Sequence, residues 1–182
     1  RDNLYYLSME KINAEILRLA RESRLITQED LASNIGVEQG TLSKIEKDIL
    51  PADKETIEKI AKHLEYPVSL FYLDKKVNPI EGHYRRKLSI PVKKMKQYTA
   101  QMTFAEWHFM AMLDEIELPE TRLPKWDILT DGSAQLCAKH VRDHWRIPKG
   151  RISDLTKKIE DNGIIIISLE LGEMDGFSTY FN

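Results

Sequence analysis

A mainly α fold with a small β portion is predicted for this chain of 182 residues. A five-helix domain comes first and an α+β domain follows. Three observations predict it. Apolar residues recur at helical spacing through the N-terminal part, in Ile16, Leu19 and Ala20, then Leu31 and Ile35, then Leu42 and Ile45, then Ile57, Ile60, Ala61 and Leu64. Gly36 separates two of these stripes, with the small Ala32 just before it. Far along the chain, Ile164-Ile165-Ile166-Ile167 follows Gly163, the pattern of a buried strand.

The first helix is expected over residues 12–21, with Ile16, Leu19 and Ala20 inward at i, i+3, i+4. Thr27 opens the second, because its hydroxyl can accept an orphan backbone N–H. Ala32 sits where the next helix crosses, and only a small side chain allows so close an approach. Gly36 ends the second helix, since a positive φ reverses the chain there with little strain. Val37 follows as a buried turn residue. A third helix is expected over residues 39–45 with Glu38 at its N-cap, and a fourth over residues 56–64. A short fifth, at residues 68–72, is entered through Pro67. The first domain is placed at residues 10–74.

Residues 27–46 thus have the sequence form of a helix-turn-helix, whose second helix enters the DNA major groove. Double-stranded DNA is the expected partner. Thr27 and Gln28 are assigned to phosphate oxygens, together with the backbone N–H groups at that helix start. Gln39 is the base reader, because its amide can pair bidentately with adenine. Lys44 lies one turn on and reaches a guanine or a phosphate. Thr41 and Ser43 touch a thymine methyl or the backbone, and Gly40 permits close approach. Glu46 and Asp48 are expected to place negative charge near the far end of the helix, which leaves Lys47 as a phosphate contact. A homodimer on a palindromic operator is expected.

These residues resemble the Cro/C1-type helix-turn-helix of phage repressors and XRE-family regulators. Residues 12–21, 56–64 and 68–72 look like that family's first, fourth and fifth helices. The resemblance implies a sequence-specific transcriptional regulator. Where the family usually has Ser or Thr, this chain has Glu38, which suits a helix dipole but repels phosphate.

The formal charge is only −2, but it is unevenly spread. Residues 76–100 hold seven basic and one acidic residue, among them Arg85, Arg86, Lys87, Lys93, Lys94 and Lys96. They read either as added phosphate contacts or as a solvated linker and helix face. The lone Cys137 excludes a disulfide framework within the chain and fits a reducing cytoplasm. No run is long or apolar enough to span a membrane, and no signal peptide is evident. The chain does not begin with Met, so a natural start upstream of Arg1 is left open.

Residues 75–90 are read as a basic linker and residues 91–182 as the α+β domain. A long helix is expected over residues 91–117, with Pro91 in its first turn. Leu88, Val92, Met95, Thr99, Met102, Glu106, Phe109, Leu113 and Ile116 follow 4-3-4-3 spacing, as in a dimer seam. Trp107, Met110 and Met112 lie off that seam, which favours burial within a domain. Further helices are expected at residues 133–145 and 153–161, the latter capped by Ser153, with Leu155 and Ile159 inward. Residues 164–169 should form a buried strand, residues 172–176 a turn, and residues 177–181 a second strand. Two strands alone are marginal in water, so either the helices cover them or the domain is truncated and more strands lie elsewhere.

The segments His83-Tyr84-Arg85-Arg86-Lys87, Trp145-Arg146-Ile147-Pro148, Asn162-Gly163-Ile164-Ile165-Ile166 and Met174-Asp175-Gly176-Phe177-Ser178 look like parts of a second family. They are similar to the junction and N-terminal part of an ImmA/IrrE-type metallopeptidase domain. In that family a His-Glu-x-x-His helix carries the zinc ligands, and this sequence ends at Asn182 before any such motif. No catalytic residue, cofactor or metal ligand is therefore carried over. His140 and His144 are four apart on one helix face, but no third ligand is evident, and an exposed face is the preferred reading. Cys137 near His140 reads as a buried thiol, and His63, His83 and His108 are isolated. No glycine-rich phosphate loop is present. Two alternatives stand beside the regulator: the N-terminal portion of a zinc metallopeptidase regulator, and an antitoxin or ligand-sensing module with a protein or small-molecule effector.

Overall fold

The computed structural model describes residues 11–78, 82–86, 90–113, 119–127, 129–170, 172 and 174–179. These residues are mainly helical, with seven α-helices, one 3-10 helix and one two-stranded ribbon. The chain divides into two compact units, residues 1–109 with 171–182, and residues 110–170.

In the first unit α1 (Ala14–Ser23) starts at Asn13, whose side-chain oxygen accepts from the backbone N–H of Glu15 and of Ile16. The Asn13 amide also donates to the carbonyls of Leu73 and Lys75 at 3.2 and 2.8 Å. One asparagine therefore caps α1 and ties it to the end of the helical domain. Next come α2 (Gln28–Ile35), α3 (Gln39–Glu46) and α4 (Lys54–Leu64), with Asp53 capping α4 through the N–H of Thr56. The expected fifth helix is a 3-10 helix, Val68–Tyr72. Ile16, Leu17, Leu31, Leu42, Ile57, Ile60, Leu64 and Phe71 are completely buried in one cluster. Each such side chain contributes roughly 1.5–3 kcal/mol by leaving water. Ala32 is 1% exposed, as its place at the helix crossing requires.

Strand β1 (Gly82–Arg86) precedes α5 (Val92–Leu113). Phe104 and Trp107 of α5 pack against the helical core, with the Phe104 ring 5.2 Å from that of Tyr66. The amides of Gln97 and Gln101 donate to the Ser23 carbonyl at 3.4 and 3.2 Å. A smaller cluster joins Ile90, Tyr98 and Met102 to Met174. Strand β2 (Met174–Thr179) pairs antiparallel with β1, Gly82 opposite Thr179 and Arg86 opposite Met174.

The second unit contains α6 (Ala134–His144) and α7 (Leu155–Glu160). Neither helix buries a side chain. Polar contacts link its segments instead. The Trp145 indole donates to the Arg122 carbonyl at 2.6 Å, and the Arg122 N–H donates to the Asn162 carbonyl at 3.0 Å. Gly163, at φ 77°, turns past Pro119 so closely that a Cβ would lie 2.6 Å from the Pro119 oxygen.

Several expectations need correction. Residues 164–169 form no strand, and Ile166 and Leu169 are each 43% exposed. A strand needs a ladder partner, and β2 pairs with β1 instead. Part of the expected linker, Gly82–Arg86, is that partner. The second strand begins at Met174, inside the expected turn, while residues 180–181 lie outside the described residues. Asp154, not Ser153, caps α7, accepting from the Lys157 N–H at 2.9 Å, and Leu155 is 52% exposed. Of the expected seam, Met102 is buried and Val92 is 74% exposed, and Leu88 and Ile116 fall outside the described residues, as do Lys87 and residues 114–117 of the expected helix. Val37 is only half-buried. Among the described residues no helix is long and apolar enough to cross a membrane.

Candidate nucleic-acid interface

The geometry of α2 and α3 follows from their ends. The Thr27 hydroxyl accepts from the Asp30 N–H at 3.0 Å and donates to the Asp30 carboxylate at 2.5 Å. The hydroxyl's bond to the carboxylate, then a bond from the Thr27 backbone, hold the Asp30 carboxyl below the usual range, and Lys93 adds to the effect. Gly36 ends α2 in the left-handed region at φ 76°. The chain then enters α3 at Glu38, whose side chain makes no capping hydrogen bond. The first turn of α3 is left open, with Gln39 and Gly40 exposed.

A hydrogen-bond chain reaches this open turn from the interior. Arg21 grips Glu46 with two parallel bonds, Nε to Oε1 at 2.6 Å and Nη2 to Oε2 at 2.8 Å. Both side chains are nearly buried, at 10% and 2% exposure. Arg21 Nη1 also donates to the Ile26 carbonyl at 2.9 Å. Gln28 Nε2 donates to Glu46 Oε2 at 2.7 Å, and Gln39 Nε2 donates to Gln28 Oε1 at 3.0 Å. The chemistry sets every direction in the chain. An ionised carboxylate only accepts, so the Gln28 NH2 must face Glu46 and its oxygen must face Gln39.

The site residues divide accordingly. Gln28 and Gln39 are brought into contact. Thr27 is half-buried, with its hydroxyl engaged by its own helix. Thr41 and Ser43 are half-buried along α3, Lys44 is exposed, and Lys47 is the exposed C-cap residue. Glu46 does not charge the far end of α3, because it is buried against Arg21. Asp48 is likewise paired, with Lys11. The expected negative charge at that end is therefore neutralised.

Sequence reasoning missed Arg21 and its pairing with Glu46. One signal was available: Arg21 lies four residues after Leu17, on the stripe that α1 buries. A charged residue there demands a buried partner.

Elsewhere, His140 stands beside the Trp126 ring at 5.4 Å between centroids. No group of three metal-ligating side chains occurs among the described residues. Neither the curated proteins nor the solved structures contain a match to this chain. The comparisons lend no support to the metallopeptidase resemblance of the later segments. Residues 17–71, covering α1 to the 3-10 helix, match the Helix-turn-helix family model, and this supports a DNA-binding regulator in general terms.

Proposed function

We propose that this chain is a sequence-specific transcriptional regulator whose domain at residues 10–74 binds DNA and which meets a palindromic operator as a homodimer. The chain from Arg21 through Glu46 and Gln28 to Gln39 carries the reading. It holds the one exposed amide at the tip of α3 in a set orientation. Gln39 gives one N–H to Gln28 and keeps its second N–H and its oxygen. Those two groups are what adenine N7 and N6 require. An exposed glutamine with no such support would lose more rotamer freedom on binding.

Around it, Gly40 lets the duplex approach and Thr41 and Ser43 line α3. Lys44 reaches a base edge or a phosphate, and Lys47 holds a phosphate at the far end. Thr27 and Gln28 mark where the DNA backbone passes the first turn of α2, whose N–H groups face the phosphates. Two copies are proposed because one helix of eight residues reads few base pairs.

The test is selection from a random duplex pool with the full chain, followed by the stoichiometry of the complex. Enrichment of an inverted repeat bound by two chains is expected. Lys47→Ala should weaken all duplexes alike and reduce the salt slope by about one. Absence of any enriched sequence would sink the proposal.

A further inference from the structure

We propose that the first turn of α5 extends the DNA interface, Lys93 and Lys96 joining Arg18 of α1 in a second clamp on the phosphate backbone beside the start of α2. The inference rests on the DNA-binding reading above.

A cleft of about 510 Å³ opens between α1, the start of α2, the end of α3 and the first turn of α5. Thr27 and Gln28 line one side of it, and Lys93 and Lys96 another. Its charges do not cancel. Arg21 and Glu46 neutralise each other. Glu22 faces Lys96 at 3.9 Å, the outer limit of an ion pair. Arg18 and Lys93 also line the cleft and form no ion pair among the described residues. Lys93 is close enough to Asp30 to help depress its carboxyl, after the larger effect of Thr27. The positive end of the α5 dipole adds to the same field.

The cleft is continuous with the base-reading tip. Gln28 belongs to its wall and also holds Gln39. When α3 enters a major groove, the flanking backbone passes the start of α2 and so meets this excess positive charge. The lysines are held there by the packing of α5. Gln97 and Gln101 donate to the Ser23 carbonyl, and the Phe104 ring packs tilted against that of Tyr66. Lys96, Gln97 and Gln101 thus belong to one anchored stretch, and its basic first turn overhangs the cleft.

The experiment is a salt titration of duplex binding by the full chain, comparing wild type, Lys93→Ala/Lys96→Ala and Lys93→Arg/Lys96→Arg. Loss of two phosphate contacts should make the slope of log K against log salt shallower by about 1.8. The loss should be equal on the selected duplex and on an unrelated one, and the arginine pair should keep the wild-type slope. Gln39→Ala in parallel should lose sequence preference with its slope unchanged. A wild-type slope in the alanine pair, while Gln39→Ala still loses preference, overturns the clamp and leaves the base-reading proposal standing. If wild type bound no duplex, both would fall.

Discussion

At the residue scale the decisive groups are amides and one buried ion pair. Gln39 keeps one N–H and its oxygen after its bond to Gln28. Gln39→Ala should therefore cost about 1–3 kcal/mol on the selected duplex and relax one base position. A gel-shift titration on duplexes varied at that position checks it, and equal affinity for wild type and variant would remove the base-reading role. Beneath it, Arg21 and Glu46 lie almost out of water. Removing one partner leaves an uncompensated buried charge, so Arg21→Ala should cost about 3–5 kcal/mol in urea unfolding. Replacing both with apolar residues of similar volume should cost much less, because no orphan charge remains. The sequence offered the place of Arg21 on the buried stripe of α1 but not its partner, for a physical reason. A helical arginine reads as solvated until its partner, 25 residues away, is known.

Glu106 gives the pH prediction. Burial raises its carboxyl above the ordinary value, with Lys75 acting weakly the other way. The folded protein therefore binds this proton more tightly than the unfolded chain does. The ionised form costs stability at every pH above the folded pKa, and the cost fades as pH falls through it. Glu106→Gln should accordingly raise Tm at pH 7, and the gain should shrink as pH falls toward the ordinary glutamate value and be gone below it. A gain that grew with acid would contradict the burial of this carboxyl.

At the scale of elements, the helices and the second half of β2, residues 177–179, were legible, and the strand pairing was not. Caps and 3.6-residue periodicity are local, and Thr27, Gly36 and Ser133 all stand where their helices begin or end. Strand pairing is not local: Gly82 meets Thr179 across nearly the whole second half of the chain. The isoleucine run looked more strand-like than either true strand, yet apolarity alone supplies no ladder partner. The turn of the helix pair can be probed directly. A Cβ at Gly36 would meet nothing within 4 Å, so Gly36→Ala suffers only the left-handed backbone, about 1–2 kcal/mol. Thr27→Ala removes a cap and should cost about 1 kcal/mol. Gly163→Ala adds a collision with the Pro119 carbonyl to the same backbone strain. Thermal melts of Gly36→Ala and Thr27→Ala should show losses of similar size, and a Gly36→Ala loss above 3 kcal/mol would mean that the turn is packed, not open.

At the scale of the whole molecule, burial is unequal between the two units. The completely buried side chains of the described chain all lie in the first, from Ile16 to Thr103. In the second, Leu136 and Leu155 are each 52% exposed although they lie on helices. Hydrogen bonds such as Trp145 to Arg122 order that unit without removing much apolar surface from water. A net hydrogen bond contributes about 1 kcal/mol, whereas each buried leucine or isoleucine contributes more and cooperates with its neighbours. Local opening free energy follows buried apolar contact, so the two units should open separately. Native-state hydrogen exchange on the full chain reads this directly. Amides in α1, α4 and the middle of α5 should exchange only through global unfolding and should share one denaturant dependence. Those in α6 and α7 should exchange through smaller openings, at least tenfold faster and nearly independent of denaturant. Duplex DNA should slow exchange in the first set and leave the second unchanged, since the proposed contacts all lie on residues 18–47 and 93–96. If α6 and α7 were as protected as α1 in the free chain, separate opening would be ruled out, and another copy of the chain would be one source of the added burial. A dependence of that protection on protein concentration would then reveal it.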